Sequence, residues 1–128
     1  MCGICGIANR HDTEQAQESI LIAMRDALHH RGPDDAGIFI DGRVGLGHRR
    51  LSIIDLSTGV QPIHNEDSSC WIIFNGEIYN YRALRQELEE AGHQFYTRSD
   101  TEILVHLYEQ DGEQMLQKLN GMFAFAIW

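Results

Sequence analysis

An α+β layered fold is what this sequence predicts, and three observations carry it. Short apolar runs and amphipathic segments are interleaved irregularly, without the regular βαβ alternation of a doubly wound sheet. Asp41-Gly42 joins two neighbouring apolar runs, the strongest short hairpin signal. Other connections are long, as over residues 48–69, and loops of that length inside small domains usually carry function.

The elements follow in order. Cys2 to Ala8 is small and apolar and reads as a buried strand. Residues 14–30 place Ala16, Ile20, Ala23, Met24, Ala27 and Leu28 at the spacing of an amphipathic helix. Arg31-Gly32-Pro33-Asp34-Asp35 breaks it into a loop. Ile38-Phe39-Ile40 and Val44-Gly45-Leu46 form the hairpin, its turn read as type I′. Trp71 to Phe74 is a continuous apolar run, a strand buried on both faces, and Asn75 to Asn80 reads as a turn. Residues 81–91 form a second helix with Tyr81, Leu84 and Leu88 inward and Gly92 at its C′ position. Ser99-Asp100-Thr101-Glu102 has the pattern of a capping box opening a third helix. A shorter helix follows Gly112. Met122 to Trp128 alternates large residues with alanine, a strand with one bulky and one thin face. The sequence stops inside that strand and is therefore read as a fragment of a longer protein.

Composition narrows the function classes. The 128 residues suit one domain spanning 1–128, with ordinary globular composition at 43% hydrophobic residues. Nineteen acids against ten Lys plus Arg leave a net charge of −9, which repels nucleic acid and anionic membrane surfaces. No apolar run approaches the roughly 20 residues of a membrane span, and the N-terminus has no signal-peptide pattern. A cytoplasmic location is expected, with Cys2, Cys5 and Cys70 reduced.

Cys2 is the first residue of chemical interest. Removal of Met1 would free an α-amine beside the thiol. With pKa values near ~8 and ~8.5, each is close to its useful protonation state at neutral pH. The amine can then serve as base for its own nucleophile. The plain alternative is a small residue opening a buried strand. Cys2 and Cys5 also form C-x-x-C, the spacing of half a zinc site or a redox pair, but a strand points positions 2 and 5 to opposite faces. The seven histidines show no ligand spacing, and no metal site is expected.

Seven segments carry a resemblance: Met1 to Ile7, Arg31 to Gly37, Leu46 to Leu56, Gln61-Pro62, Phe74 to Tyr81, Ser99 to Glu102, and Leu119 to Trp128. In this order and spacing the chain resembles the N-terminal glutaminase domain of glutamine-hydrolysing asparagine synthetase. That is a class II amidotransferase of the N-terminal-nucleophile hydrolase fold, a layered αββα sandwich of antiparallel sheets. The resemblance covers essentially the whole chain.

The resemblance implies a site for L-glutamine. Cys2 is the nucleophile. Arg50 matches the position that holds the glutamine carboxylate, where a planar guanidinium fits bidentately. Either Arg49 or Arg50 taken alone could equally be a structural ion-pair residue. Asp100 and Glu77 match the positions that meet the ammonium. Asn75, through its side-chain amide, and Gly76, through its N–H, match the oxyanion donors. Leu51, Ser52, Ile53 and Ile54 would line the pocket through backbone groups, and Arg31 would brace a loop beside the nucleophile. Glycine at 76 would keep the substrate's approach open. Glutamine would be hydrolysed through a Cys2 thioester to glutamate and ammonia. A C-terminal synthetase domain would use the ammonia to amidate aspartate. No cofactor is expected in this domain, with ATP and Mg expected only in the synthetase domain. A final strand exposing its bulky face invites homodimerisation. Three other readings stay open: a silent glutamine- or partner-binding fragment that retains Met1, a glutaminase serving another acceptor, and a redox or metal protein built on Cys2 and Cys5.

Overall fold

The computed structural model describes residues 2–52 and 59–128. Among the described residues, six strands and three α-helices form four layers. Strands β1 (Gly3–Ala8), β2 (Asp35–Asp41) and β3 (Val44–Arg50) make one antiparallel sheet in the order β1-β3-β2. Strands β4 (Ile63–His64), β5 (Trp71–Ile78) and β6 (Gly121–Ile127) make a second, in the order β4-β5-β6. Helix α1 (Glu18–Ala27) covers the outer face of the first sheet. Helices α2 (Tyr81–Glu90) and α3 (Glu102–Asp111) cover the second, and a 3₁₀ helix spans Gly112–Gln117.

Period-two alternation sorts the side chains into these layers. Along β3, Val44 and Leu46 face the second sheet, where they meet Ile73, Ile4, Phe39, Trp71 and Ala126. Gly45 and Gly47 face α1, and a Cβ on Gly47 would lie 2.7 Å from Cys5 Sγ and 3.3 Å from a methyl of Leu21. Their lack of side chains lets Leu21 bury completely. Phe39 and Trp71 stack across the seam between the sheets at 4.2 Å. Behind the second sheet, Ile72, Phe74 and Ile78 pack on Leu84, Leu88, Ile103, Leu104 and Leu107. The bulky face of β6, Phe125 and Ile127, joins that core, while Ala126 turns to the inter-sheet seam.

Several expectations need correction. The first strand is half-buried to exposed over most of its length, because it lies at a sheet edge. The β2–β3 turn centres on Gly42-Arg43, since Asp41 already pairs with Val44. Only Gly42 has positive φ there, at 54°, which is the pattern of type II′ rather than I′. Strand β5 runs to Ile78, so Asn75, Gly76 and Glu77 are strand residues paired with β6 and not a turn. The N-cap residue of α3, Thr101, makes no side-chain cap hydrogen bond. Glu102 instead reaches back to accept the N–H groups of Tyr96 and Thr97 at 2.8 and 2.7 Å, and Thr101 N–H donates to Ser99 Oγ at 3.2 Å.

Candidate active site

The inter-sheet seam is apolar along most of its length and polar at one end, and the strand periodicity explains why. Cys2 lies two residues before Ile4 on the same face of the β1 segment. Arg50 continues the Val44–Leu46–His48 row of β3, and Asn75 follows Ile73 on β5. The register pairs Gly3 with Arg49, which sets Cys2 level with Arg50. The three polar side chains therefore emerge together where the apolar contacts stop. The segment before α3 closes the far side.

A cavity of about 170 Å³ sits there. Its volume suits a small metabolite, below the ~300–1,000 Å³ of clefts that take drug-sized ligands. Cys2, Arg50, Leu51, Asn75, Gly76, Glu77 and Asp100 all line it. Cys2 Sγ accepts the Leu51 N–H at 3.4 Å and faces the Leu51 carbonyl at 3.8 Å. Arg31 stands behind, its Nε donating to the Cys2 carbonyl at 3.1 Å. Arg50 is 5% exposed, so its cation sits against the cavity in a medium that strengthens attraction for an anion. Asn75 Oδ1 is buried with no hydrogen-bond partner among the described residues, spare polar capacity of the kind that marks a ligand site. Asp100 is buried, and Oδ2 accepts the Ile78 N–H at 3.0 Å. Burial, with the charge of Glu77 adding, pushes its carboxyl above the ordinary range.

Arg49 and Arg50 separate by strand parity. Arg49 points to the α1 side, donating from Nε to the Gly32 carbonyl at 2.9 Å, with Asp26 3.6 Å away and His29 in contact. It is the structural member of the pair. Cys2 and Cys5 diverge likewise. Cys2 faces the cavity, whereas Cys5 lies under α1, where burial pushes its thiol pKa up.

Gly76 has a different reason from the one expected. A Cβ there would fall 2.2 Å from the Met122 carbonyl oxygen and 2.6 Å from Phe123 Cα, so the β6 backbone excludes any side chain. Ser52 is not among the described residues lining the cavity; its N–H donates to Asp34 at 2.7 Å. Ile53, Ile54 and Met1 lie outside the described residues.

Gln61, Ser99 and Thr101 also line the cavity, without having been assigned a role from the sequence. Gln61 bridges its walls, accepting the Phe74 N–H at 2.6 Å and donating to Thr101 Oγ1 at 3.3 Å. The Gln61-Pro62 motif was the available signal, since a glutamine fixed in a motif and flanked by apolar residues invites burial. His48, buried beside the cavity, has its pKa pulled down to about 4, mainly by desolvation with Arg50 adding.

Comparison with known proteins identifies the family. A model described as a glutamine amidotransferase domain matches residues 1–128. The chain is 52% identical over 130 residues to glutamine-hydrolyzing asparagine synthetase 1 of Bacillus subtilis (strain 168), covering 100% of this chain and 21% of that protein. It is 45% identical over 127 residues to glutamine-hydrolyzing asparagine synthetase 3 of Arabidopsis thaliana, covering 99% of this chain and 22% of that protein. The chain thus spans about a fifth of the length of these relatives. Among solved structures, glutamine phosphoribosylpyrophosphate amidotransferase from B. subtilis matches all of this chain and 35% of its own with a TM-score of 0.75 at 27% identity. The α+β architecture is that of the N-terminal-nucleophile hydrolase amidotransferases. With its whole length matched by the family model, this chain belongs to the glutamine amidotransferase domain family.

Proposed function

We propose that this chain is a glutaminase in which Cys2, once Met1 is removed, attacks the side-chain amide of L-glutamine. One observation carries the reading: a thiol, a buried guanidinium, a carboxamide and a buried carboxylate line one small cavity. Each matches one part of glutamine. Arg50 receives the α-carboxylate as a fork of parallel N–H donors. Asp100, with Glu77, receives the ammonium. The Cys2 α-amine, directly or through a water, takes the thiol proton, and sulfur adds to the amide carbon. The Asn75 side-chain amide and the Gly76 N–H hold the oxyanion. The carbon–nitrogen bond then breaks, the proton leaves with ammonia, and water hydrolyses the thioester to glutamate. Leu51 holds the Cys2 sulfur through its N–H, and Arg31 fixes the backbone of the nucleophile.

In the whole protein the ammonia passes to a C-terminal synthetase domain that amidates aspartate with ATP and Mg. The relatives' names support this acceptor, as does the small fraction of their length that the chain spans. A related synthetase with another acceptor is the second reading, supported by the phosphoribosylpyrophosphate amidotransferase likeness. No cofactor acts in the glutaminase step, and the protein works in the cytoplasm, where thiols stay reduced. Exposure of Met122 and Phe123 at the β6 edge supports a homodimer in the isolated chain.

Intact mass spectrometry before and after a diazo-ketone glutamine analogue tests the chemistry. A mass short by one Met, with a single adduct on Cys2 that free glutamine blocks, is expected. Retained Met1 without an adduct would establish the silent binding fragment instead. Cys2→Ala should abolish glutaminase activity with the fold intact.

A further inference from the structure

Away from this cavity, the fold gathers four ligating side chains from three segments. Glu66 comes from the loop after β4, His93 from the connection between α2 and α3, and His106 and Glu109 from α3. We infer that these four side chains form a divalent metal site of the zinc class, using Nδ1 of each histidine and one oxygen of each glutamate.

The geometry is that of ligands around a common centre rather than of ion pairs. His93 Nδ1 lies 3.5 Å from Glu66 and 3.7 Å from Glu109. The distance from His93 is to Glu66 Oε1, whereas His106 Nδ1 lies 3.4 Å from the other oxygen, Oε2, and both histidines face the same Oε2 of Glu109, at 3.9 Å from His106. All four ligand atoms fall within 4.8 Å of one another. These separations exceed hydrogen-bond length. Zinc bonds of ~2.0–2.2 Å give a tetrahedral edge of roughly 3.3–3.6 Å, close to the shorter of them. Two carboxylates with two neutral imidazoles also balance a dication.

His106 supplies the independent observation. It is completely buried, and neither ring nitrogen has a hydrogen-bond partner among the described residues. An imidazole left so in a core costs stability unless something takes its lone pair. Its surroundings already resemble the outer shell of a metal site. Nε2 faces the buried Glu102 carboxylate at 3.6 Å, beyond hydrogen-bond length but on the side a carboxylate takes behind a metal-bound histidine. Glu66 is aimed by the Gln94 N–H, which donates to Oε1 at 2.8 Å. Phe95 packs against the His106 ring at 4.5 Å. Four protein donors close the coordination sphere, so the ion would pin the three segments together and leave no open position for catalysis.

The test uses untagged protein freed of metal by chelation and dialysis. Calorimetric titration with Zn²⁺ should find one equivalent, and saturating Zn²⁺ should raise Tm by roughly 5 °C or more. Co²⁺ should give a tetrahedral visible spectrum without a thiolate charge-transfer band. Glu109→Gln, at an exposed position, and His93→Gln should each weaken Zn²⁺ binding at least tenfold while circular dichroism stays native. A wild-type chain that takes up no Zn²⁺, a Co²⁺ spectrum with thiolate ligation, or a folded Glu109→Gln that binds as tightly as wild type would each overturn the site. None of these readouts depends on glutaminase activity.

Discussion

The carboxylate of Asp100 accepts the backbone N–H of Ile78 at 3.0 Å, tying the segment before α3 to the end of β5. The same buried group lines the cavity. Its two roles can be separated by substitution. Asp100→Asn keeps an acceptor for Ile78 and removes the charge, so stability should change by less than about 1 kcal/mol while KM for glutamine rises tenfold or more. Asp100→Ala removes both and should also destabilise by roughly 1–3 kcal/mol.

The raised pKa of Asp100 adds a sign. A glutamine ammonium favours the ionised carboxyl, so KM should climb as pH falls through the Asp100 pKa and stay flat in Asp100→Asn. Stability runs the other way. Above the ordinary carboxylate value the unfolded chain has already lost this proton while the native state keeps it. This group therefore costs stability as pH rises through that window. Glutamine KM against pH, in both proteins, checks the first; urea midpoints check the second.

Much of this was legible in the sequence because it rests on local periodicity. The helix around Leu84 and Leu88, the terminal alternating strand and the divergence of Cys2 from Cys5 all follow from 3.6- or 2-residue repeats. Misreadings arose where tertiary pairing overrides local preference. Asn75-Gly76 has turn chemistry, yet β6 recruits it into a strand. Glu102 has capping-box spacing, yet its carboxylate is taken by Tyr96 and Thr97. The Glu66, His93, His106 and Glu109 cluster spans 44 positions (66 to 109) in three segments, so no spacing rule could detect it.

His48 should make the domain acid-sensitive. Its native pKa is about 4 against an ordinary 6.5, so between those values the unfolded state binds more protons and stability falls as pH drops. The full loss is on the order of 3 kcal/mol, and more than half of it should appear by pH 5. His48→Gln should flatten this part of the profile. Urea unfolding at pH 7 and pH 5 measures the slope, and an unchanged slope in the variant would exclude His48 as its source.

The two arginines should part cleanly. Arg49→Lys loses the fork that holds the Gly32 carbonyl and neighbours Asp26, so Tm should fall by a few degrees with KM nearly unchanged. Arg50→Lys keeps a cation at the cavity and loses bidentate geometry, so KM should rise by about tenfold or more with kcat less affected. Thermal melts and steady-state kinetics on both variants decide the assignment. The reverse pattern would move the carboxylate site to Arg49.

Gly76→Ala separates packing from chemistry. The added methyl would meet the Met122 carbonyl oxygen at 2.2 Å and the Phe123 Cα at 2.6 Å, and both are backbone of the neighbouring strand. Strand β6 must therefore shift, breaking the pairing of Gly76 with Phe123 and of Asn75 with Ala124 beside the cavity. Overpacking of this kind costs about 1–3 kcal/mol. The variant should melt several degrees lower, with amide exchange accelerated along β5 and β6. Activity should fall as well, because losing the β5–β6 register beside the cavity moves the Gly76 N–H on β5 off the oxyanion position. If glycine served only to admit substrate, KM would rise with Tm and exchange unchanged, and the steric account would be wrong.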